Sequence, residues 1–266
     1  MKKITASLCV ALLFLPLSGF AEGPDAYEIM KKVDERYEGD TRSSTSKLIL
    51  IDKQERQRVR ELSVFAFKKE GVEKSLIFFR SPPDVEGTTY MSFDWQSPDN
   101  EDENWLYLPA LKQIKRIAAA NESGAFMGSD FSYADINGLE LDDYTYTLES
   151  ESESVNGHDC WLIRATPKSD EVVNATGYTE VKAWIRKDIF MRVKAIINVK
   201  KGQRVKYFAI SDLEQIDGIW TALTLQMVTT RNGKREHSSL LKIDNIQYNK
   251  GVDETLFNTE AMRRGL

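Results

Sequence analysis

Few side chains in this sequence have the types and spacing that catalysis requires. The chain contains only two histidines, His158 and His237, and its two cysteines are Cys9 and Cys160. Cys160 and His158 lie two residues apart in a strand-like run and so share one face, which makes a thiol beside a base one hypothesis for Cys160. The other is a small buried apolar residue, the usual state of an unpaired cysteine, and we favour it.

No catalytic or cofactor motif accompanies these residues. The sequence lacks the GxSxG, HExxH, CxxC, P-loop and GxGxxG patterns. The acidic loop 99–103 offers carboxylates, but its spacing differs from a calcium-binding EF-hand loop, which has glycine at its sixth position. The sequence therefore predicts a protein that is not an enzyme and that has no cofactor or metal.

The candidate binding residues are apolar. Aromatic and aliphatic side chains are typical of ligand cavities, and methionine suits a cavity that accepts variable shapes. A packed core has the same composition, so both interpretations stay open. The residues that we assign to a cavity or to its lid are Tyr27, Met30, Phe65, Phe67, Phe79, Met91, Trp105, Tyr107, Phe126, Met127, Phe131, Tyr133, Met191, Val193, Ile197, Leu223 and Leu225.

The stretch 104–136 is the most informative part of the chain. It begins as a strand, passes through a basic region and enters a loop rich in glycine and serine. That loop carries Phe126 and Phe131, whereas most loops are polar and run over the surface. We therefore predict that the loop covers a core, closes over a ligand, or does both.

The elements that must position these residues are mostly strands. Helical spacing predicts one helix over 24–37 and a short C-terminal helix within 253–264. The rest predicts a mainly β fold, an antiparallel meander of about 11 strands, which is more than a flat open sheet usually carries. Apolar and polar residues alternate along strands such as 191–199, so one face of the curled sheet is apolar. The first helix and the aromatic loop are the available covers for that face.

Residues 1–21 predict a secretory signal peptide. Lys2 and Lys3 precede an apolar run that is too short to span a bilayer, and small residues lead to a cleavage site between Ala21 and Glu22. Residues 22–266 are then long enough for a single domain. The formal net charge of −5 argues against nucleic acid as a partner.

Three motifs resemble a known family. They are FFRSPPDVEGTTY at 78–90, ENWLYLPALKQIKRI at 103–117 and GAFMGSDFSYADI at 124–136. They are similar to the periplasmic outer membrane lipoprotein-sorting proteins of the LolA-like superfamily, in the branch associated with RND-type exporters. The resemblance implies an incomplete antiparallel β-barrel whose concave apolar face is covered by helices and takes acyl chains.

The function that the resemblance implies is that of a periplasmic carrier. It would shield the acyl chains of a lipoprotein or lipid and move them between the inner membrane, with an RND-type transporter as a partner, and the outer membrane. We expect a monomer that makes transient contacts with membrane proteins. The alternative is an envelope lipid sensor, or an adaptor domain for a transporter.

Overall fold

The computed structural model describes residues 23–97 and 100–265. Within these residues the chain forms thirteen strands and four α-helices. The strands are β1 Thr41–Ile51, β2 Gln57–Lys69, β3 Val72–Ser81, β4 Thr89–Trp95, β5 Glu103–Leu108, β6 Gln113–Arg116, β7 Tyr144–Val155, β8 His158–Pro167, β9 Tyr178–Arg186, β10 Met191–Val199, β11 Arg204–Ile216, β12 Ile219–Arg231 and β13 Lys234–Tyr248. The helices are α1 Ala26–Asp34, α2 Tyr133–Asn137, α3 Asp170–Thr176 and α4 Thr259–Arg264.

All thirteen strands belong to one antiparallel sheet. Strands that follow each other in the chain are neighbours in the sheet, except for β6 and β7. In addition, β1 pairs with β13 and so joins the two halves. The edge strands are β6 and β7, and the described registers do not pair them with each other. The barrel is therefore incomplete, and the predicted fold class is confirmed.

The sheet has more strands than the expected number of about 11, partly because the basic region 112–116 turns back on β5. Lys112 adopts a left-handed conformation (φ 51°) after the 3-10 turn Pro109–Leu111. The chain then returns beside β5 as the short edge strand β6. The predicted hairpin turns are also present: at Asn156-Gly157, for example, both residues have positive φ, the conformation of a tight β-hairpin turn.

The two faces of the sheet carry different covers. The inner face, defined as the face that contacts residues 117–143, holds the largest apolar cluster. Helix α1 covers another part of the inner face, where Ala26 and Ile29 pack against Ile163 and Ile185. The outer face is apolar beside β2–β5 as well, and there the C-terminal helix α4 covers it.

Helix α1 is shorter than the predicted span of 24–37. It begins after Asp25, whose side chain accepts a hydrogen bond from the Tyr27 N–H, and it ends at Asp34. The short C-terminal helix is present as α4, whereas α3 was not predicted.

The predicted signal peptide, with its cleavage site between Ala21 and Glu22, lies outside the described residues. None of the helices in the described part of the chain combines the length and hydropathy needed to cross a bilayer.

Candidate functional site

Residues 117–143 connect β6 to β7, the two edges of the sheet, and we call them the lid segment. Within it, the Phe126 N–H donates to the Phe131 carbonyl oxygen at 2.7 Å, and Ala125 forms a β-bridge with Ser132. Met127 has a φ of 49°, so the chain reverses tightly between the two phenylalanines. The loop thus holds both rings at its closed end.

The two rings of the lid segment insert into the inner apolar cluster. Phe126 is 2 % exposed and Phe131 is 4 % exposed. The Phe126 ring centroid lies 6.0 Å from that of Phe79 on β3 and 5.5 Å from that of Tyr90 on β4. Packed aromatic pairs at such distances add about 0.5–1.5 kcal/mol beyond their area burial. The aromatic loop therefore covers the core in this structure, as the sequence predicts.

Polar contacts fix the tip of the lid segment to the sheet. Asp130 is 3 % exposed, and its carboxylate accepts a hydrogen bond from Ser239 Oγ at 2.7 Å and contacts Nδ1 of His237. The hydrogen bond with Asp130 raises the pKa of His237 above its usual value. Arg60 on β2 donates to the Met127 carbonyl oxygen. The tip is thus tied to both β13 and β2.

A second polar cluster anchors α2. Asp135 Oδ2 accepts hydrogen bonds from the Tyr178 hydroxyl at 2.6 Å, from Lys206 Nζ at 3.2 Å and from the Ser132 N–H at 2.8 Å. Asp135 and Ser132 also form the capping box of α2. Burial, followed by the charge of Asp135, raises the pKa of Tyr178 well above its usual value. Serine, tyrosine and lysine side chains in contact can do chemistry, but here Ser132 and Tyr178 are buried, and the Tyr178 hydroxyl is bonded to both Lys206 and Asp135.

A third contact joins the end of α2 to the other half of the sheet. The Tyr90 hydroxyl lies 2.6 Å from Asn137 Oδ1 and 2.7 Å from Asn104 Oδ1. Asn104 Nδ2 in turn donates to Glu122 Oε1 at 2.7 Å. A flat sheet of thirteen strands would be about 60 Å wide, yet this short segment reaches β2, β4, β9, β11 and β13. The sheet is therefore strongly curved around it.

The structure brings about half of the predicted binding residues together on the inner face. Val181 on β9 and Ile197 on β10 are paired in the sheet, and both side chains belong to the inner apolar cluster. The predicted residues in this cluster are Phe79, Phe126, Met127, Phe131, Tyr133, Met191, Ile197 and Leu225. Tyr27 and Met30 lie on α1: Met30 joins the cluster beneath α1, and Tyr27 packs its ring on Tyr146.

Other predicted binding residues lie elsewhere and do not meet the lid segment. Phe65, Phe67, Met91, Trp105 and Tyr107 belong to the outer cluster beneath α4. A strand that is apolar on both faces does not show from its alternation which side is inward. The expectation that these five residues line the same cavity as Phe126 is thus corrected by the register of β2–β5.

The remaining two predicted binding residues, Val193 and Leu223, also lie outside the inner apolar cluster. The register of β10 against β9 shifts between Arg192 and Lys194, so Val193 packs outward with Cys160 and Trp184. Leu223 on β12 is half-buried and joins none of the apolar clusters in the described residues. Sequence reasoning missed inner residues such as Leu48 and Tyr144. The alternation of apolar and polar residues along β7 was a signal that could have identified Tyr144.

The possible catalytic thiol is not arranged for nucleophilic chemistry. Cys160 is fully buried, and its Sγ donates to the His158 carbonyl oxygen at 3.7 Å rather than to the imidazole. Burial raises the pKa of the Cys160 thiol, which disfavours the reactive thiolate.

Three carboxylates converge near the C-terminal end of β4. Oxygen atoms of Asp94, Asp102 and Glu140 lie within 4.8 Å of one another. Burial and then the neighbouring carboxylates raise the pKa of Asp94 to about 6 and that of Glu140 to about 7. Asp102 and Glu140 are exposed, as is common for acidic groups that bind no ion.

Comparisons with known proteins give consistent relatives. A family model described only as an uncharacterized protein matches residues 71–264. An outer membrane lipoprotein-sorting protein domain from Vibrio parahaemolyticus is 30% identical, with a TM-score of 0.79 over 90% of this chain and 98% of that chain. A DUF1329 family protein from Desulfovibrio piger is 29% identical, with a TM-score of 0.79 over 89% of this chain and 97% of that chain.

A more distant structure shares the fold. A LolA superfamily protein from Nitrosomonas europaea is 16% identical, with a TM-score of 0.66 over 90% of this chain and 100% of that chain. No curated protein matches the sequence.

Proposed function

We propose that this protein is a periplasmic carrier of acyl chains. The chain belongs to the family of the outer membrane lipoprotein-sorting proteins, and it has the fold of a LolA superfamily protein. The cargo is a lipoprotein or a lipid, whose chains lie against the inner face of the sheet during transfer. Each buried methylene group is worth about 0.8 kcal/mol, so an acyl chain in water needs a sealed apolar surface of this kind.

The observation that carries the proposal is the position of the lid segment. It joins the two edges of an unclosed sheet and places Phe126 and Phe131 on the inner apolar face. Its tip is held by hydrogen bonds to Ser239 and Arg60 rather than by strand pairing. Such contacts can be broken one at a time without unpairing the sheet, so lifting the lid segment exposes the apolar surface to a ligand.

In the resting state the rings occupy the space that the cargo takes. An acyl chain and the side chains of Phe126 and Phe131 then compete for the same surface. The apparent affinity for cargo is lowered by the fraction of molecules in the closed state. This competition makes release possible, because the lid rings can displace a bound chain.

The family resemblance supports a route as well as a cargo. An inner-membrane transporter of the RND type is the proposed donor, and the outer membrane is the destination. A carrier that meets donor and acceptor in turn works as a monomer with transient contacts to membrane proteins. The predicted signal peptide and single domain 22–266 agree with this route.

A reversible lock on the lid segment tests the proposal. Asp130→Cys combined with Ser239→Cys replaces two side chains that are in hydrogen-bond contact, and Cys160 is buried and distant from both in sequence. After oxidation, the disulfide fixes the lid segment to β13, and we expect uptake of a fluorescent fatty acid to be lost. The same protein after reduction is the matched control and should bind the probe.

Native mass spectrometry of protein purified without detergent identifies the cargo class. Co-purified acylated lipid or lipoprotein supports a carrier. Equal binding of the fatty acid by the oxidised and reduced forms of the double-cysteine variant contradicts the proposed site, and binding by neither form contradicts the carrier function.

A further inference from the structure

Strands β10 and β11 separate part of the way along their length. They pair from Lys194–Asn198 to Val205–Ala209, and the described register stops there although both strands continue. Val193 is the bulged residue of β10, and Asp212 on β11 has a φ of 53°. Residues 210–216 of β11 pair with β12 on one side only. Their other edge is open, so the backbone groups on that edge have no strand partner among the described residues.

A groove lies beside the fork, as we call the region where β10 and β11 separate. The tip of the β7–β8 hairpin, at Val155 and Asn156, faces Val193 and Ile210 across a cavity of about 350 Å³. A neighbouring cavity of about 110 Å³ shares these residues and extends along 211–213 of β11. Together the two cavities form one groove that runs beside the open edge.

The charges along the open edge are unneutralised. Asp212, Glu214 and Asp217 are exposed, and none forms an ion pair with a described residue. The cations beside the groove are already engaged. Arg186 makes two hydrogen bonds of 2.7 Å to Asp188, and Lys194 Nζ lies 4.2 Å from the centre of the Trp184 ring. The groove therefore presents a negative edge with apolar residues beside it.

We propose that this fork binds an extended, basic segment of a partner protein. The segment adds as a strand to residues 210–216 and so satisfies the open backbone edge, as in other cases of strand addition. One apolar side chain enters the groove beside Val193 and Ile210, and flanking lysine or arginine residues meet Asp212 and Glu214. An acyl chain would leave the backbone groups unpaired and would place methylene groups beside carboxylates.

The proposed site is separate from the lid segment but touches the same core. Ile210 and Leu213 belong to the inner apolar cluster and also border the groove. A partner segment can therefore bind while the inner face is occupied, and its apolar side chain rests against the residues that form the back of the inner cluster. The inference does not depend on the cargo being a lipid.

The test uses a fluorescein-labelled peptide, Lys-Val-Lys-Ile-Lys-Val-Lys, titrated with the full mature protein and followed by fluorescence anisotropy. Ala209→Trp fills the groove, and Asp212→Lys reverses one charge of the edge. We expect each variant to bind the peptide about tenfold more weakly than the unchanged protein. Glu70→Lys, an exposed charge reversal in the β2–β3 turn, is the matched control and should change the affinity less than twofold.

Two further measurements separate strand addition from general charge attraction. A peptide with proline in place of isoleucine keeps the charge but cannot pair as a strand, and it should bind about tenfold more weakly. Hydrogen exchange of the amides of residues 210–216 should slow when the first peptide is bound. Both readouts use the unchanged protein, so they hold even if Ala209→Trp fails to fold.

Several outcomes overturn the proposal. They are the absence of binding at about 1 mM peptide, equal affinity for the isoleucine and proline peptides, and slowed exchange outside the fork only. A concentration-dependent dimer that protects residues 210–216 without peptide also overturns it, because the edge would then belong to an interface between two copies of this chain.

Discussion

Asp130 and Ser239 exchange two hydrogen bonds across the boundary between the lid segment and β13. The Asp130 N–H donates to Ser239 Oγ at 3.0 Å, and Ser239 Oγ donates to Asp130 Oδ2 at 2.7 Å. The second carboxylate oxygen contacts His237. A buried carboxylate is costly unless it is bonded in this way, so the closed lid depends on two side chains of β13.

Closure of the lid segment should weaken as the pH rises. Asp130 raises the pKa of His237 above the unfolded value of about 6.5. The contact therefore stabilises the fold fully below about pH 6.5, and this stabilisation is lost as the pH rises through the folded pKa of His237. Glu236 adds to the shift and Arg204 opposes it. His237 is about half exposed, which keeps the expected loss below about 1 kcal/mol.

Hydrogen exchange of amides 126–131 at pH 6 and pH 9, corrected for the intrinsic pH dependence of exchange, measures this effect. We expect lower protection at pH 9 in the unchanged protein and no such difference in His237→Gln, which cannot titrate. Equal pH dependence in both proteins would show that another group controls the lid segment.

Truncation of a lid ring should increase the affinity for an acyl chain. In the proposed function Phe131 competes with cargo for the inner face, so a fluorescent fatty acid should bind several-fold more tightly to the delipidated Phe131→Ala variant. Phe78→Ala on the outer face is the matched control, because Phe78 is equally buried. Both changes should lower the free energy of unfolding by about 3–5 kcal/mol.

The control separates binding from general loosening of the fold. Urea denaturation measures stability, and fluorescence titration measures affinity. A similar gain in affinity for Phe78→Ala would mean that probe binding reports loosened packing rather than a vacated site.

Loss of the Asp135 carboxylate should destabilise the whole protein. Asp135→Ala removes an acceptor that Lys206 and Tyr178 share, and it removes the capping box of α2. This ion pair is only partly buried and Lys206 keeps its hydrogen bond to the Tyr178 hydroxyl, so we expect a loss of about 1–3 kcal/mol, the usual cost of leaving a polar group unsatisfied. Asp142→Ala, which breaks an exposed hydrogen bond from Tyr27, should change stability by less than about 1 kcal/mol. Equal urea midpoints for the two variants would disprove an anchoring role for Asp135.

A further pH effect should come from the three carboxylates near the end of β4. Burial and mutual repulsion raise the pKa of Asp94 to about 6 and that of Glu140 to about 7. An acid with a raised folded pKa stabilises the fold at low pH, and this contribution is lost as the pH rises through the folded value. Glu140 is exposed, so screening by solvent limits the combined change to about 1 kcal/mol.

The double variant Asp94→Asn with Glu140→Gln checks this assignment. Between pH 5 and pH 8 the unchanged protein should lose more stability than the variant, as measured by urea denaturation at each pH. An unchanged pH slope in the variant would assign the effect to other groups.

The sheet could be predicted from the sequence because its signals are local. Alternation along 191–199 and turn dipeptides such as Asn156-Gly157 depend on neighbours within a few residues. The inner face of β2–β5 could not be predicted in this way. Phe78 and Phe79 are both fully buried, on opposite faces, because α4 supplies a second cover from the far end of the chain.

The polar anchors of the lid segment were also beyond sequence reasoning. Asp135 and Lys206 are 71 positions apart, and Asp130 and Ser239 are 109 positions apart. Only the register of a curved sheet brings them together. The aromatic composition of the loop indicated a cover, whereas its partners depend on the three-dimensional curvature.

The pairing of β1 with β13 has a consequence for how the chain folds. Every other strand pair is local, but this pair joins residues such as Thr45 and Asp244, which are 199 positions apart. Non-local pairing is slow because the loop must close before any contact forms. The two halves of the chain can therefore form hairpins early, including β1 with β2 and β12 with β13, while the facing edges of β1 and β13 stay open until nearly the whole chain is available. During that interval these two free edges can pair with other chains, so dilution or a chaperone should raise the yield of refolding.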